Sequence, residues 1–260
     1  MASDPISVKG IILESREYKE KDRMVTILTR NLGILHFVAK GTAKLGSKMS
    51  AVSMPYMLCD FVLNDSHGFY YLKDFSIVAS NAGIMNSLEA MAVAGHCATC
   101  LKSSVLQSDN AADAYELSVY TFYALSEMAS KAAFIYVAFN WKLLSNLGLS
   151  ASYSSCNGCG TDVSGSNGLY LSYDDNQCYC SNCGEKYCGS RRNDYKLMYH
   201  SSVELLDKVI EAEYSKIYMF TPSETSLDEL RIFTTEYLRR QFEVDITDPI
   251  KRLDRGFNRL

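Results

Sequence analysis

Four cysteines are arranged as two pairs, Cys156-Asn-Gly-Cys159 and Cys180-Ser-Asn-Cys183, with twenty residues between the pairs. Two residues between thiolates let both sulfurs of a pair point at one ion, and two such turns complete the tetrahedron that Zn2+ accepts without strain. Gly158, Gly160 and Gly184 stand where such turns tighten. With all four positions filled by protein, none is left for water or substrate, so one structural zinc per chain is expected. Cys178 is close enough to replace Cys180 as a ligand, although Cys180 makes the better pair with Cys183, and Cys188 reads as a free thiol. Cys97 and Cys100 also have C-x-x-C spacing. On a helix they face the same way and pack against apolar neighbours, and only His96 hints at the base that a redox pair needs.

A second kind of chemistry is electrostatic. Net charge is -4 over 260 residues, which as an average argues against nucleic acid. From Arg16 to Lys48, however, eight basic residues (Arg16, Lys19, Lys21, Arg23, Arg30, Lys40, Lys44, Lys48) face three acidic ones (Glu17, Glu20, Asp22). A local basic stripe can hold phosphates while the rest stays acidic, because screening confines each patch to about a Debye length. Arg16, Arg23, Lys40, Lys44 and Lys48 are the expected DNA contacts, with Tyr18, Phe37, Tyr56 or Tyr70 to stack bases.

These residues need elements to carry them. Ile6 to Val78 reads as five short strands separated by turns, as in an OB-fold barrel. After Ser80 the apolar spacing becomes helical, through Ile84, Leu88 and Met91, then from Ala111 to Met128 and from Ala132 to Leu147, with Gly148 placed as a left-handed cap. Residues 151–193 are rich in Gly, Ser and Cys, with a hairpin around Leu169–Tyr173. So few apolar residues bury no core, and metal ligation must supply the folding free energy. Helices then resume, with capping-box spacing at Ser201/Glu204 and Ser226/Glu229. The expected architecture is multidomain α+β: a five-stranded OB-fold barrel over 1–80, a helical domain over 81–150 and 194–260, and a four-cysteine zinc finger inserted at 151–193.

Composition excludes several classes. The longest apolar run, Ala132 to Phe139, stops at Asn140, short of a membrane span, and the Met-Ala-Ser-Asp-Pro start is no signal peptide. Nine cysteines, an odd count with four assigned to metal, fit a reducing cytoplasm. There is no Gly-Lys-Ser/Thr phosphate loop, G-x-S-x-G, H-E-x-x-H or H-x-E partner for the cysteines, and His36, His67, His96 and His200 are scattered, so no enzyme is expected. A protein-interaction scaffold and an RNA-binding OB/zinc-ribbon protein are the rival readings.

Gly10-Ile-Ile-Leu-Glu-Ser-Arg16-Glu-Tyr18-Lys-Glu-Lys-Asp22, then Leu28-Thr29, Gly33 and Ala39-Lys40-Gly41, resemble the opening barrel of the RecO family of bacterial DNA repair proteins. Phe139-Asn-Trp-Lys-Leu143-Leu144 through Leu147-Gly148 into Cys156-Asn-Gly-Cys159-Gly160 is similar to that family's helix leading to its zinc finger. The resemblance covers nearly the whole chain. It implies a cytoplasmic, nucleoid-associated recombination mediator that binds single- and double-stranded DNA, anneals complementary strands, and with RecR loads RecA onto DNA coated by the single-stranded-DNA-binding protein. Two stretches depart from the family pattern. Thr42-Ala-Lys44-Leu-Gly-Ser-Lys48 is less basic than the loop it resembles, and Asp248-Pro-Ile-Lys251-Arg252-Leu253 replaces a Lys-Ser-Leu type segment. Arg239, Arg240, Lys251 and Arg252 remain as cations for the acidic tail of the single-stranded-DNA-binding protein.

Overall fold

The computed structural model describes residues 4–42, 48–66, 68–105, 111–150, 153–163, 166–188, 193–242 and 247–257. The chain divides into two compact units, residues 1–129 and 130–260.

The first unit is built on five strands, β1 (Ile6–Tyr18), β2 (Asp22–Thr29), β3 (Gly33–Ala39), β4 (Leu58–Ser66) and β5 (Phe69–Ala79). They close in the order β1-β2-β3-β5-β4, antiparallel except for β3 with β5. This is the expected OB-like barrel. Alternation sends Ile12, Val25, Ile27, Leu35, Phe37, Phe61, Leu63 and Phe75 inward as one core. Each such side chain contributes about 1.5–3 kcal/mol by leaving water. A Cβ on Gly10 would stand 3.0 Å from Ile27 Cδ1 and 3.1 Å from the Leu28 carbonyl, so β1 and β2 approach closely there.

The outer side of the barrel is apolar too, at Ile11, Leu28 and Ile34, all buried. Those residues need a cover. Helices α1 (Leu88–Ser104) and α2 (Ala112–Glu127) pack on β1, and α2 also on β2. The helical segment read over 81–150 is therefore shared between the units: α1 and α2 go with the barrel, and α3 (Ala132–Asn146) with the second unit. The Ser87 hydroxyl accepts from Ala90 N–H at 3.2 Å and starts α1, after a 3-10 turn over Ala82–Asn86.

In the second unit α3 is buried on every side from Phe134 to Leu144, which explains its apolar run; among the described residues no helix is long and apolar enough to cross a membrane. It packs against α5 (His200–Glu211) and α6 (Glu224–Gln241). Trp141 stacks on Phe233 with ring centroids 5.8 Å apart and donates Nε1–H to Thr234 Oγ1 at 2.8 Å. The Lys142 ammonium donates to the Ile210 and Ala212 carbonyls and so caps the C-terminus of α5. Gly148, at φ +71, closes α3 in a Schellman turn: Gly148 N–H reaches the Ser145 carbonyl and Leu149 N–H the Leu144 carbonyl. A three-stranded sheet ordered β7-β6-β8, from β6 (Gly168–Ser172), β7 (Cys178–Cys180) and β8 (Tyr195–Tyr199), carries the cysteine segment with α4 (Ser181–Cys188). α7 (Pro249–Phe257) ends the described chain.

The caps differ from the sequence expectation. Ser223, not Ser226, caps α6, accepting from Ser226 N–H at 3.1 Å. Glu229 instead reaches Tyr199 N–H at the start of α5, 3.1 Å away. A carboxylate between two helix starts serves whichever orphan N–H packing brings near, and spacing along one helix cannot report that.

Candidate metal centre and nucleic-acid interface

The sulfurs of Cys156, Cys159, Cys180 and Cys183 all lie within 4.8 Å of one another, and those of Cys159 and Cys180 are 3.9 Å apart. Four sulfurs at about 2.3 Å from one ion stand about 3.8 Å apart, so the set could hold a tetrahedral, thiophilic metal. The first knuckle is folded by its own backbone: Gly160 N–H donates to the Cys156 carbonyl and Cys156 N–H to the Thr161 carbonyl. Asn157 ties it to β7, its N–H donating to the Cys178 carbonyl and its Oδ1 accepting from Cys178 N–H, both at 2.8 Å. Nothing in the spacing of the cysteines singled out Asn157.

Burial pushes the Cys156 thiol up, but backbone N–H groups of Cys180, Cys159 and Gly158 outweigh it and hold it at about 6. Cys183 is pushed up to about 12, by desolvation first and then by its cysteine neighbours. Thiolates this close repel one another, and a bound cation is what lets all four ionise together. Gly158 is required by crowding, because a Cβ there would lie 2.9 Å from Cys183 Sγ. Gly184 is tighter still, with a Cβ falling 2.0 Å from the Tyr170 ring on β6. Gly160 adopts φ +72.

The alternative ligand resolves against Cys178. Its thiol donates to the Ser155 carbonyl at 3.1 Å and burial pushes it up to about 11, whereas Cys180 joins the cluster. The side chain of Cys188 lies outside the described residues. Cys97 is fully buried and its thiol raised, and Cys100 is pushed up to about 12, both by desolvation. Neither thiol is activated for redox chemistry.

On the barrel, strand register decides where the basic residues go. Strict alternation from Ile12 would send Glu14 and Arg16 inward, but β1 shifts register between Ile12 and Glu14. The shift pairs Glu14 with Thr26 and Arg16 with Met24, turning both outward. Arg16, Met24, Val38 and Tyr71 then form one row across β1, β2, β3 and β5. Lys40 follows Val38, with its Nζ 4.6 Å from the centre of the Tyr71 ring. Arg16 and Lys40 are exposed and carry no ion pair among the described residues.

Arg23 is placed differently. It is half-buried, and its guanidinium donates to Ser15 Oγ at 2.8 Å and to the Ser15 carbonyl at 2.6 Å, fastening β2 to β1 at the same end of the barrel. Arg30 pairs with Glu116 at 2.8 Å. Lys44 and the side chain of Lys48 lie outside the described residues, as does His67.

Of the aromatic residues expected to stack bases, Phe37 is 1% exposed in the barrel core and Tyr56 stacks on Phe122 at 4.9 Å, so neither faces solvent as a platform. Tyr70 packs partly against the core. Tyr18 is 38% exposed beside the β1–β2 turn. Sequence reasoning missed Phe69, 68% exposed where β4 turns into β5, and Tyr71 under Lys40. The β1–β2 turn lies at the end of the barrel where Arg16 stands, whereas β4 runs antiparallel to β1 with Leu63 opposite Ile6, so the β4–β5 turn lies by the start of β1; Tyr71 reaches the row through its pairing with Val38.

Near the C-terminus, Arg240 bonds Asp174, Asp194 and Glu236 and lies over the Tyr173 ring at 4.9 Å, while Arg239 bonds Glu236. Asp248 caps α7 through Ile250 N–H and is gripped by Arg231 at 2.8 Å, with Pro249 at the first helical position. Lys251 and Arg252 are exposed.

Comparison with known proteins agrees with this geometry. The family model described as Recombination protein O N terminal matches residues 1–81, and that described as Recombination protein O C terminal matches residues 85–248. The chain is 27% identical over 252 residues to the DNA repair protein RecO of Acetivibrio thermocellus, covering 96% of this chain and 98% of that one. It is 23% identical over 240 residues to the protein of the same name from Caldanaerobacter subterraneus subsp. tengcongensis, covering 92% and 94%. Against that of Bacillus subtilis it is 27% identical over 178 residues, 68% of each. With both terminal models matched in order over almost its full length, the chain belongs to the RecO family of DNA repair proteins.

Proposed function

We propose that this protein is a recombination mediator without catalytic turnover, which grips DNA on the outer wall of its barrel and is braced elsewhere by a structural zinc ion. The observation that carries the reading is the outward row Arg16–Met24–Val38–Tyr71 with Lys40 over Tyr71, a cationic and aromatic track on the strands an OB-fold uses for oligonucleotides. Arg16 and Lys40 meet phosphates, joined by Lys44 and Lys48 of the following loop. Arg23 holds the wall in place, and Phe69 and Tyr18 stack bases. Grip through backbone charge and ring stacking is indifferent to sequence, as annealing of complementary strands requires.

Zinc suits the four-thiolate set, since Zn2+ accepts a closed tetrahedron without redox chemistry. Bound there by Cys156, Cys159, Cys180 and Cys183, it supplies folding free energy. Family membership supports the partners: single- and double-stranded DNA, RecR, the single-stranded-DNA-binding protein and, indirectly, RecA, on the nucleoid. For the acidic tail of the single-stranded-DNA-binding protein, Lys251 and Arg252 are better placed than Arg240, whose charge is already matched by carboxylates.

The test is titration of a fluorescent single strand across a salt series. The Arg16→Ala and Lys40→Ala variants should each weaken binding and flatten the plot of log K against log salt by about 0.7. Unchanged affinity and slope in both would refute the track. Annealing of complementary strands precoated with the single-stranded-DNA-binding protein then tests grip and partner together.

A further inference from the structure

One group of polar side chains on the first unit is not used by the track. The register aligns Glu14, Thr26 and His36 side by side across β1, β2 and β3, one row further from the open end than Arg16. All face outward. Beyond this row the wall disappears under α1 and α2, and the last helical cation before it does so, Lys102 of α1, reaches back to Glu14 at 3.2 Å. The His36 ring is exposed, and its Nδ1 is 3.0 Å from Thr26 Oγ1. With the Thr26 hydroxyl donating to Nδ1, the ring proton sits on Nε2 and is available as a donor.

We propose that Arg16, His36 and Lys102 form a seat for one phosphate of a DNA strand, with Glu14 as its built-in competitor. This rests on the outer-wall reading above and extends the strand's path from Lys40 and Tyr71 to the last turn of α1, which carries Lys102. Three donors from β1, β3 and α1 converge on one polar strip, and the single carboxylate among them already holds Lys102 as an oxyanion would. A phosphate arriving there takes Lys102 from Glu14 and accepts from Arg16 and from His36 Nε2–H.

The charges facing His36 are Glu14 and Arg16 from β1 and Lys102 from α1, while β2 offers Thr26. Burial first, then Arg16, holds the imidazole below its ordinary value; Glu14 opposes this and Lys102 adds to it. The free protein therefore carries a neutral His36 near neutral pH. A bound phosphate stabilises the imidazolium and raises its pKa, so binding takes up a proton. The extra affinity is fully present below the free-state pKa and is lost as pH rises through the pKa of the complex.

Anisotropy titration of the full-length protein with a fluorescent oligothymidylate at fixed salt tests the seat. Glu14→Gln removes the competitor, and binding should tighten about threefold. A gain of this kind cannot come from misfolding. His36→Gln should abolish the rise in affinity that the unmodified protein shows between about pH 7.5 and about pH 5.5. If Glu14→Gln binds as the unmodified protein does and His36→Gln keeps its pH profile, while Lys40→Ala still weakens binding, the seat is wrong and the outer-wall track stands. Should Lys40→Ala and Arg16→Ala also be without effect, the track itself falls.

Discussion

The barrel and the cysteine segment solve opposite problems. The barrel closes on Ile12, Val25, Phe37, Phe61 and Phe75, a core in which Arg16 and Lys40 have no part. Both are free to serve a ligand. In the cysteine segment the chemistry-bearing residues are built into the packing of the segment itself. Cys156 is buried among backbone N–H donors and Gly158 and Gly184 leave no room for a methyl group, but, against the sequence expectation that residues 151–193 bury no core, Tyr153, Val163, Leu169 and Leu171 are buried there too. Loss of a functional side chain should therefore change binding in the first region and folding in the second.

Removal of metal offers the largest test of that contrast. With zinc on the four thiolates, as proposed, such a site is worth about 10–16 kcal/mol at neutral pH, so chelation should unfold residues 153–163 and 166–188, read as loss of amide-exchange protection there. Exchange in β1–β5 should be unchanged; a barrel that loosens too would break the comparison. Next in size is Gly184→Ala. Its Cβ would fall on the Tyr170 ring, and the overpacking should cost about 3 kcal/mol, seen as weaker metal retention under chelator titration with DNA affinity unaltered.

Phe69→Ala sharpens the other side. Loss of one stacking platform should weaken single-strand binding by about 1–3 kcal/mol while the melting temperature stays the same. The smallest effect is expected at Asp207 on α5. Burial, then Glu211, raises its pKa, with His200 opposing. The folded state thus holds that proton more tightly than the unfolded chain, and stability falls as pH rises from the unfolded to the folded pKa, leaving a penalty at about pH 7. Asp207→Asn should raise the melting temperature modestly at about pH 7 and make no difference at about pH 3.

Much of this was legible in the sequence because it depends on local chemistry. C-x-x-C spacing fixes which sulfurs can share an ion, alternation of apolar residues announces strands, and Gly148 marks the end of a helix whatever lies beyond. Faces and partners depended on tertiary structure. A one-residue irregularity after Ile12 turned Arg16 outward, which no period-two pattern reveals. Barrel closure took Phe37 inside, and packing on Phe122 withdrew Tyr56. Helix packing lent Glu229 to a neighbouring helix, and Cys178, bonded to the Ser155 carbonyl, stands outside the four-cysteine cluster. Sequence by itself determined which residues could do chemistry and in which kind of element they sit, because covalent spacing and periodicity are properties of the chain. Only the tertiary structure decided which of them meet, because register, closure and burial are set by contacts between segments far apart along it.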